Sequence, residues 1–242
     1  MKSPSLRVFF LSIFGLAGLI LGSGCASQDR PISRNLQQRN LPIERSQVQF
    51  ETNFGTIVVR LYHNEAPETV RNFRQYVQDG HYDNTIFHRV VKDFVVQGGG
   101  YIRGESESGL IEKQTRDSIR NEANNGLRNR KGTIAMARTT EKDSARAQFF
   151  FNVSDNEVLD HGVQTFGYCV FGEVVQGMDI IERMANVTVV STPRFTHLPR
   201  EDVVLISART LKVDEFVRPE QRATAEETQE EEKEDGKFLG IF

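Results

Sequence analysis

Hydrophobic and polar positions alternate from residue 48 onwards. Val48 and Phe50 stand two apart, Asn53-Phe54-Gly55 has the composition of a tight turn, and Ile57, Val59 and Leu61 resume the alternation. Period-two patterning on both sides of a turn predicts an opening β-hairpin. The period then changes. Pro67 and Glu68 suit the first turn of a helix, where a missing N–H costs little and a carboxylate meets the positive end of the helix dipole. Ala66, Val70, Phe73 and Val77 fall on one helical face, and Gly80 supplies a stop. Residues 67–79 are therefore predicted to form an amphipathic helix covering an apolar surface.

Beyond Thr85 the runs are of β type: Ile86–Val91, Phe94–Gln97, Gly132–Ala137, Gln148–Val153 and Tyr168–Val175, separated by turns rich in Gly, Asn and Asp. Met178, Ile181 and Met184 share one side of a second predicted helix, Met178–Ala185, and Val203–Thr210 reads as a last strand. Roughly eight strands with two helices far apart predict a mainly β fold, a closed antiparallel barrel whose openings the helices cover. Closure would leave no exposed strand edge.

The two ends of the chain have a different character. Lys2 and Arg7 precede an uncharged, strongly apolar stretch from Val8 to Gly24, which ends in Leu21-Gly22-Ser23-Gly24 directly before Cys25. The order basic, apolar, small is that of a secretory signal. A Cys directly after small residues resembles a bacterial lipoprotein signal, with Cys25 as the lipidated residue of the mature protein. Ordinary cleavage nearby and an uncleaved anchor helix stay open as alternatives. All three place the folded part outside the cytoplasm, in a bacterial envelope facing the periplasm or exterior. Residues 26–45 are polar without a clear period and read as a tether. The acidic segment 214–237 holds ten acids and four bases, so the remainder of a chain of net charge −3 carries +3. It has too few large apolar residues to offset its ordering entropy, and 214–242 reads as a solvated tail. A folded domain over 46–213 remains. The whole chain's 30 Lys and Arg against 33 Asp and Glu argue against a dedicated nucleic-acid binder.

Candidate chemistry is sparse. His63, His81, His88, His161 and His197 show no metal-ligand spacing, and no nucleophile elbow or phosphate loop is present. No cofactor or metal is expected. Gly98-Gly99-Gly100 lacks the Lys-Ser/Thr of a phosphate loop and reads as a bulge or wide turn. Cys169, inside an apolar run, reads as a buried and inert thiol. A reaction that makes and breaks no covalent bond stays open.

Five stretches narrow the choice. Phe87-His88-Arg89-Val90-Val91-Lys92-Asp93-Phe94-Val95-Val96-Gln97-Gly98-Gly99 resembles the signature segment of the cyclophilins, the peptidyl-prolyl cis–trans isomerases. Asn121-Glu122-Ala123-Asn124-Asn125-Gly126-Leu127, Gly132–Arg138, Ser144–Asn152 and Gly167–Gly172 continue the resemblance in family order, over about residues 47–212. The Asn121–Leu127 stretch and Tyr168 look most like the bacterial branch. The resemblance implies a closed eight-stranded barrel with two capping helices. It implies Arg89 as the catalytic guanidinium, and Phe94, Val95, Phe150 and Leu159 as the proline pocket. By the same resemblance Gln97 orients Arg89 and the substrate backbone, while Ala137, Arg138 and Gln148 line the groove for the peptide before the proline. Tyr168 stands where many relatives have His. Val95 replaces a usual Met, and Val158 stands where relatives carry Trp or Phe. The smaller wall implies weak binding of cyclosporin. The implied partners are proline-containing segments of exported or envelope proteins and a membrane reached through the lipid or signal. A non-catalytic proline-peptide chaperone or scaffold is the alternative.

Overall fold

The computed structural model describes residues 46–105, 109–163, 166–212 and 215. The signal-like segment with Cys25, the 26–45 tether and the acidic tail apart from Glu215 lie outside the described residues.

The opening hairpin forms as the alternation predicts. β1 (Gln47–Thr52) pairs antiparallel with β2 (Gly55–Leu61), from Gln47↔Arg60 to Thr52↔Gly55. α1 (Pro67–Gln78) buries Val70, Phe73 and Val77 on the expected face, together with Thr69 and Tyr76. Ala66 at its start offers no side-chain cap. A distant residue does that work: the Glu122 carboxylate accepts the backbone N–H groups of Glu68 (3.1 Å) and Thr69 (2.8 Å) and the Thr69 hydroxyl (2.7 Å). A carboxylate there satisfies orphan donors and complements the dipole at once.

β3 (Thr85–Ile86), β4 (Arg89–Val91), β5 (Val95–Gly98), β6 (Tyr101–Arg103), β7 (Leu110–Glu112), β8 (Thr133–Met136), β9 (Phe149–Asn152) and β10 (Val170–Gln176) follow. α2 (Met178–Ala185) has the predicted bounds and buries Ile181, Met184 and Ala185. β11 (Val189–Val190) and β12 (Leu198–Pro199) make a separate small sheet, and β13 (Val204–Thr210) closes the sequence of elements. The main sheet runs β4-β5-β9-β8-β10-β2-β1-β13-β3-β6-β7, with antiparallel pairings throughout.

This corrects the expectation of a closed eight-stranded barrel. The ladder has eleven strands. It is open, because no pairing joins β4 to β7 among the described residues. One extra strand comes from a bend within a predicted run, and the short strands β6 and β7 add two more. Phe87-His88 splits the predicted strand Ile86–Val91 into β3 and β4, which lie eight places apart in the ladder although two residues separate them in the chain. Gly99-Gly100 likewise divides β5 from β6. Such a bend requires a strongly curled sheet, and the core shows one. Phe50 on β1 and Phe151 on β9 stand four places apart, about 19 Å in a flat sheet at strand spacing, yet their ring centroids are 5.8 Å apart. Among the described residues the architecture is a half-barrel of mainly β structure with two α-helices. Its interior holds Phe50, Phe73, Phe87, Phe149, Phe151 and Phe171, all buried. Residues of both helices, among them Phe73 and Met184, belong to the same interior.

Candidate active site

Strand register brings the predicted residues together. Arg89 pairs with Gln97, Gln97 with Phe150, Phe150 with Ala135, and Ala135 with Val170. Residues directly opposite share a face, so this row crosses β4, β5, β9, β8 and β10 on one side of the sheet. Val95, two residues from Gln97, lies on the same side. The alternate row of Val90, Val96, Phe151 and Ile134 belongs to the opposite side and to the interior. The apolar run Phe149-Phe150-Phe151 therefore serves two surfaces.

The outer row forms an apolar cup. Val95, Ala135, Phe150 and Val170 are its buried floor, and half-buried Phe94, Leu127, Ala137, Leu159 and Tyr168 pack around them. Tyr168 meets Phe150 edge to face at 5.6 Å. Half-exposed walls over a buried floor leave a concave apolar surface open to a ligand. Arg89 stands beside the cup, its guanidinium carbon 6.0 Å from the Phe94 ring centroid. Burial draws the Arg89 pKa down from its ordinary value, with the Tyr168 phenol opposing the shift. The guanidinium remains cationic at neutral pH. It is a donor already stripped of part of its water.

The polar side of the site is ordered by short contacts. Gln97 Nε2 donates to Gln148 Oε1 at 3.0 Å. Both glutamines, with Ala137 and Arg138, line a groove of about 420 Å³. Gly100 makes room for it: a Cβ there would stand 2.6 Å from Gln148 Nε2. Gly99 has φ +84 and its backbone lies against the Phe149 ring, which explains the glycine run as a bend under close approach. The Arg138 guanidinium lies 4.6 Å over the Tyr168 ring, while its Nε and Nη1 donate to Gly167 O and Thr139 O, each at 2.9 Å. Tyr168 is thereby held between Arg138 and Phe150.

Val158 is placed differently. It is 41% exposed within the short 3-10 turn Glu157–Leu159 and takes no part in the cup. Its neighbour Leu159 does. Cys169 is buried as expected, with its thiol 3.5 Å from the Thr69 hydroxyl and its pKa pushed up to about 11 chiefly by desolvation. A thiol so protonated is inert.

A framework of asparagines that nothing in the sequence marks underlies the cup. Asn129, Asn152 and Asn156 are buried and linked in series: Asn152 donates to Asn129 Oδ1 (3.2 Å), and Asn156 to Asn152 Oδ1 (2.7 Å). Asn156 also donates to Phe94 O (2.9 Å), and Asn129 to Leu159 O (3.1 Å) and Tyr168 O (3.3 Å). Three walls of the cup are thus tied through backbone carbonyls to one buried network. Asn121 and Asn125 add bonds to Gly167 O (3.1 Å) and Val170 O (2.9 Å). Asparagine reads as a turn signal in sequence, so only the buried positions of these residues distinguish them.

Residues 47–210 match the family model of the cyclophilin type peptidyl-prolyl cis-trans isomerases. The chain is 48% identical over 163 residues to peptidyl-prolyl cis-trans isomerase B of Escherichia coli, covering 66% of this chain and 96% of the relative. It is 47% identical over 161 residues to peptidyl-prolyl cis-trans isomerase A of Dickeya dadantii, covering 66% and 82%. A Cryptosporidium parvum cyclophilin crystallised in the presence of the dipeptide Ala-Pro has the same fold, with a TM-score of 0.56 at 24% identity over 69% of this chain and 99% of that one. The chain belongs to the cyclophilin family of peptidyl-prolyl cis-trans isomerases. The half-barrel with two helices is that family's architecture, and the reaction is rotation about the X–Pro peptide bond.

Proposed function

We propose that the cup formed by Phe94, Val95, Phe150 and Leu159 holds the prolyl ring and that Arg89 is the catalytic residue. The observation that carries this reading is the row Arg89–Gln97–Phe150 across three adjacent strands, which sets a cation beside an apolar floor. The chemistry asks for that combination. Amide resonance gives a rotation barrier of about 18–20 kcal/mol, and X–Pro bonds interconvert over tens to hundreds of seconds unaided. Twisting the bond frees the prolyl nitrogen lone pair. A guanidinium donating to that nitrogen stabilises the twisted state and not the planar one, which lowers the barrier. Exclusion of water by the cup raises the worth of that hydrogen bond. Gln97 and Gln148 hold the preceding peptide backbone in the groove, alongside Ala137 and Arg138. The Ala-Pro dipeptide accompanying the Cryptosporidium relative supports a proline-containing ligand.

Val158 stands outside the cup, exposed on the turn that carries Leu159, where it offers a bulky inhibitor little apolar surface. An exposed valine covers little of a bulky ligand, so cyclosporin binds weakly. Val158→Trp adds an aromatic lid and is expected to tighten cyclosporin by about tenfold, an aromatic contact of roughly 1.4 kcal/mol. Calorimetric titration checks this, and unchanged affinity places Val158 outside the ligand surface.

The same proposal includes the compartment. The basic, apolar and small pattern ending at Cys25 supports export and lipidation, with clients among exported or envelope proteins. Cys25→Ser is expected to shift the protein from the membrane fraction to the soluble one. Unaltered partition, without lipid on residue 25 by mass spectrometry, contradicts the lipid anchor.

A further inference from the structure

Arg89 sits on β4, the terminal strand of the ladder, and a terminal strand has one edge without a strand partner. The segment between α2 and β13 covers that edge. On β4 the Val90 N–H donates to His197 O at 2.9 Å. His197 adopts φ +59, a left-handed conformation that costs a non-glycine residue energy. The other chain neighbour of Arg89 is held by the same segment. His88 is buried, 4.6 Å from the Tyr101 ring and 6.0 Å from the Phe195 ring. Phe195 meets Tyr101 edge to face at 5.1 Å. Ile86, Leu110, Phe195 and Leu198 form a small cluster of their own, apart from both the interior and the cup.

We propose that the β11–β12 segment is a positioning element for Arg89, with Phe195 as its anchoring residue. The proposal rests on the reading of Arg89 as the catalytic group. Both residues flanking Arg89 touch this segment, Val90 through its backbone bond to His197 and His88 through the Phe195 ring, which packs with it against Tyr101 of β6. Phe195 belongs to neither the cup nor the groove, so it acts through β4. A turn stabilises it: Thr192 N–H donates to Phe195 O (2.7 Å), and Phe195 N–H to Thr192 Oγ1 (3.0 Å). Loss of the ring frees His88 on one side and loosens the His197–Val90 bond on the other. The guanidinium then samples positions away from the prolyl nitrogen. Misplacement of a catalytic group lowers turnover with little effect on the affinity of a ligand held by other residues.

The test is a double-variant cycle in the full chain, with kcat and KM measured on a short Xaa-Pro peptide for Phe195→Ala, Arg89→Ala and both together. Phe195→Ala is expected to lower kcat about tenfold, to leave KM within about twofold, and to accelerate hydrogen exchange at the Val90 amide. Phe195→Leu restores most of the rate. The double variant is no slower than Arg89→Ala alone, because a positioning residue has no effect once the positioned group is gone. An unchanged kcat in Phe195→Ala, or multiplicative losses in the double variant, overturns the inference while leaving the role of Arg89 intact. An unchanged kcat in Arg89→Ala overturns the underlying reading, and this inference with it. If Phe195→Ala does not fold, the cycle is run with Thr192→Ala, which loosens the turn and keeps the ring. A Thr192→Ala protein with faster Val90 exchange and unchanged kcat also overturns the inference.

Discussion

Phe149→Ala is expected to destabilise the protein by about 4 kcal/mol, the scale of a buried aromatic truncation, and to leave little folded material at physiological temperature. Phe149 is fully buried and its ring meets five other aromatic rings: Phe50 at 5.5 Å, Phe73 at 5.8 Å, Tyr82 at 5.4 Å, Phe87 at 6.1 Å and Phe151 at 5.6 Å. Those partners come from β1, α1, the turn before β3, the Phe87-His88 bend and β9. Removing the ring leaves a void that separate elements would have to move together to fill. Total stability of about 5–15 kcal/mol cannot absorb such a loss without consequence. Denaturant titration of the variant gives the magnitude directly. A loss below about 1 kcal/mol, the usual scale of a single substitution, would contradict this description of the interior.

Phe150→Ala, one residue along the same strand, has the opposite outcome. Phe150 faces the cup, so the variant is expected to fold and to lose about 100-fold in kcat/KM. The size follows from burial: fully covering an aromatic contact surface is worth about 1.5–3 kcal/mol, and each 1.4 kcal/mol is tenfold. The loss falls toward the upper end of that range, because the opened floor also admits water beside Arg89 and weakens its hydrogen bond. Measuring denaturant midpoint and isomerase rate together on both variants separates the two faces of β9. Equal effects on stability and activity in the two proteins would contradict the assignment of Phe150 to the outer surface.

Much of this arrangement is legible in the residues, for identifiable reasons. The hairpin at Val48–Leu61 and both helices show their periods, 2 in one case and 3.6 in the others, because each turns one row of apolar residues to the interior, although Val58 on the other side of β2 is also buried, with Val175 and Leu211. The two faces of β9 are not legible. Phe149, Phe150 and Phe151 form a continuous apolar run, and a run without alternation does not say which side is interior. Register alone resolves it, by placing Phe150 opposite Gln97 and Phe151 opposite Val96. Strand number misleads for another reason. The bend at Phe87-His88 is imposed by the curl of the sheet, which local sequence does not encode, whereas the bend at Gly99-Gly100 falls where the glycine run reads as a wide turn. β6, β7, β11 and β12 span two or three residues each, too few for any period to show.

The site divides in the same way. Arg89, Phe94, Val95, Gln97, Phe150, Leu159 and Tyr168 come together because their motifs lie on paired strands and on the short segments that border them. Val158 does not join them, since its turn directs Leu159 inward and leaves Val158 in solvent. The buried asparagines that tie Phe94, Leu159 and Tyr168 together resemble ordinary loop residues until their burial is known. The hold of Phe195 and His197 on β4 spans more than one hundred residues of chain, and no spacing in the sequence marks it.

The most direct measurement is the isomerisation rate of a short Xaa-Pro peptide with the full chain beside Arg89→Ala and Arg89→Lys. The unaltered protein is expected to accelerate the reaction clearly and Arg89→Ala to lose about 100- to 1,000-fold, the scale of removing one preorganised donor. Arg89→Lys should recover only a small part, because an ammonium keeps the charge without the planar fork of donors. Folding and peptide affinity should stay nearly unchanged in both variants. An Arg89→Ala protein that isomerises the peptide as fast as the original would contradict the central claim.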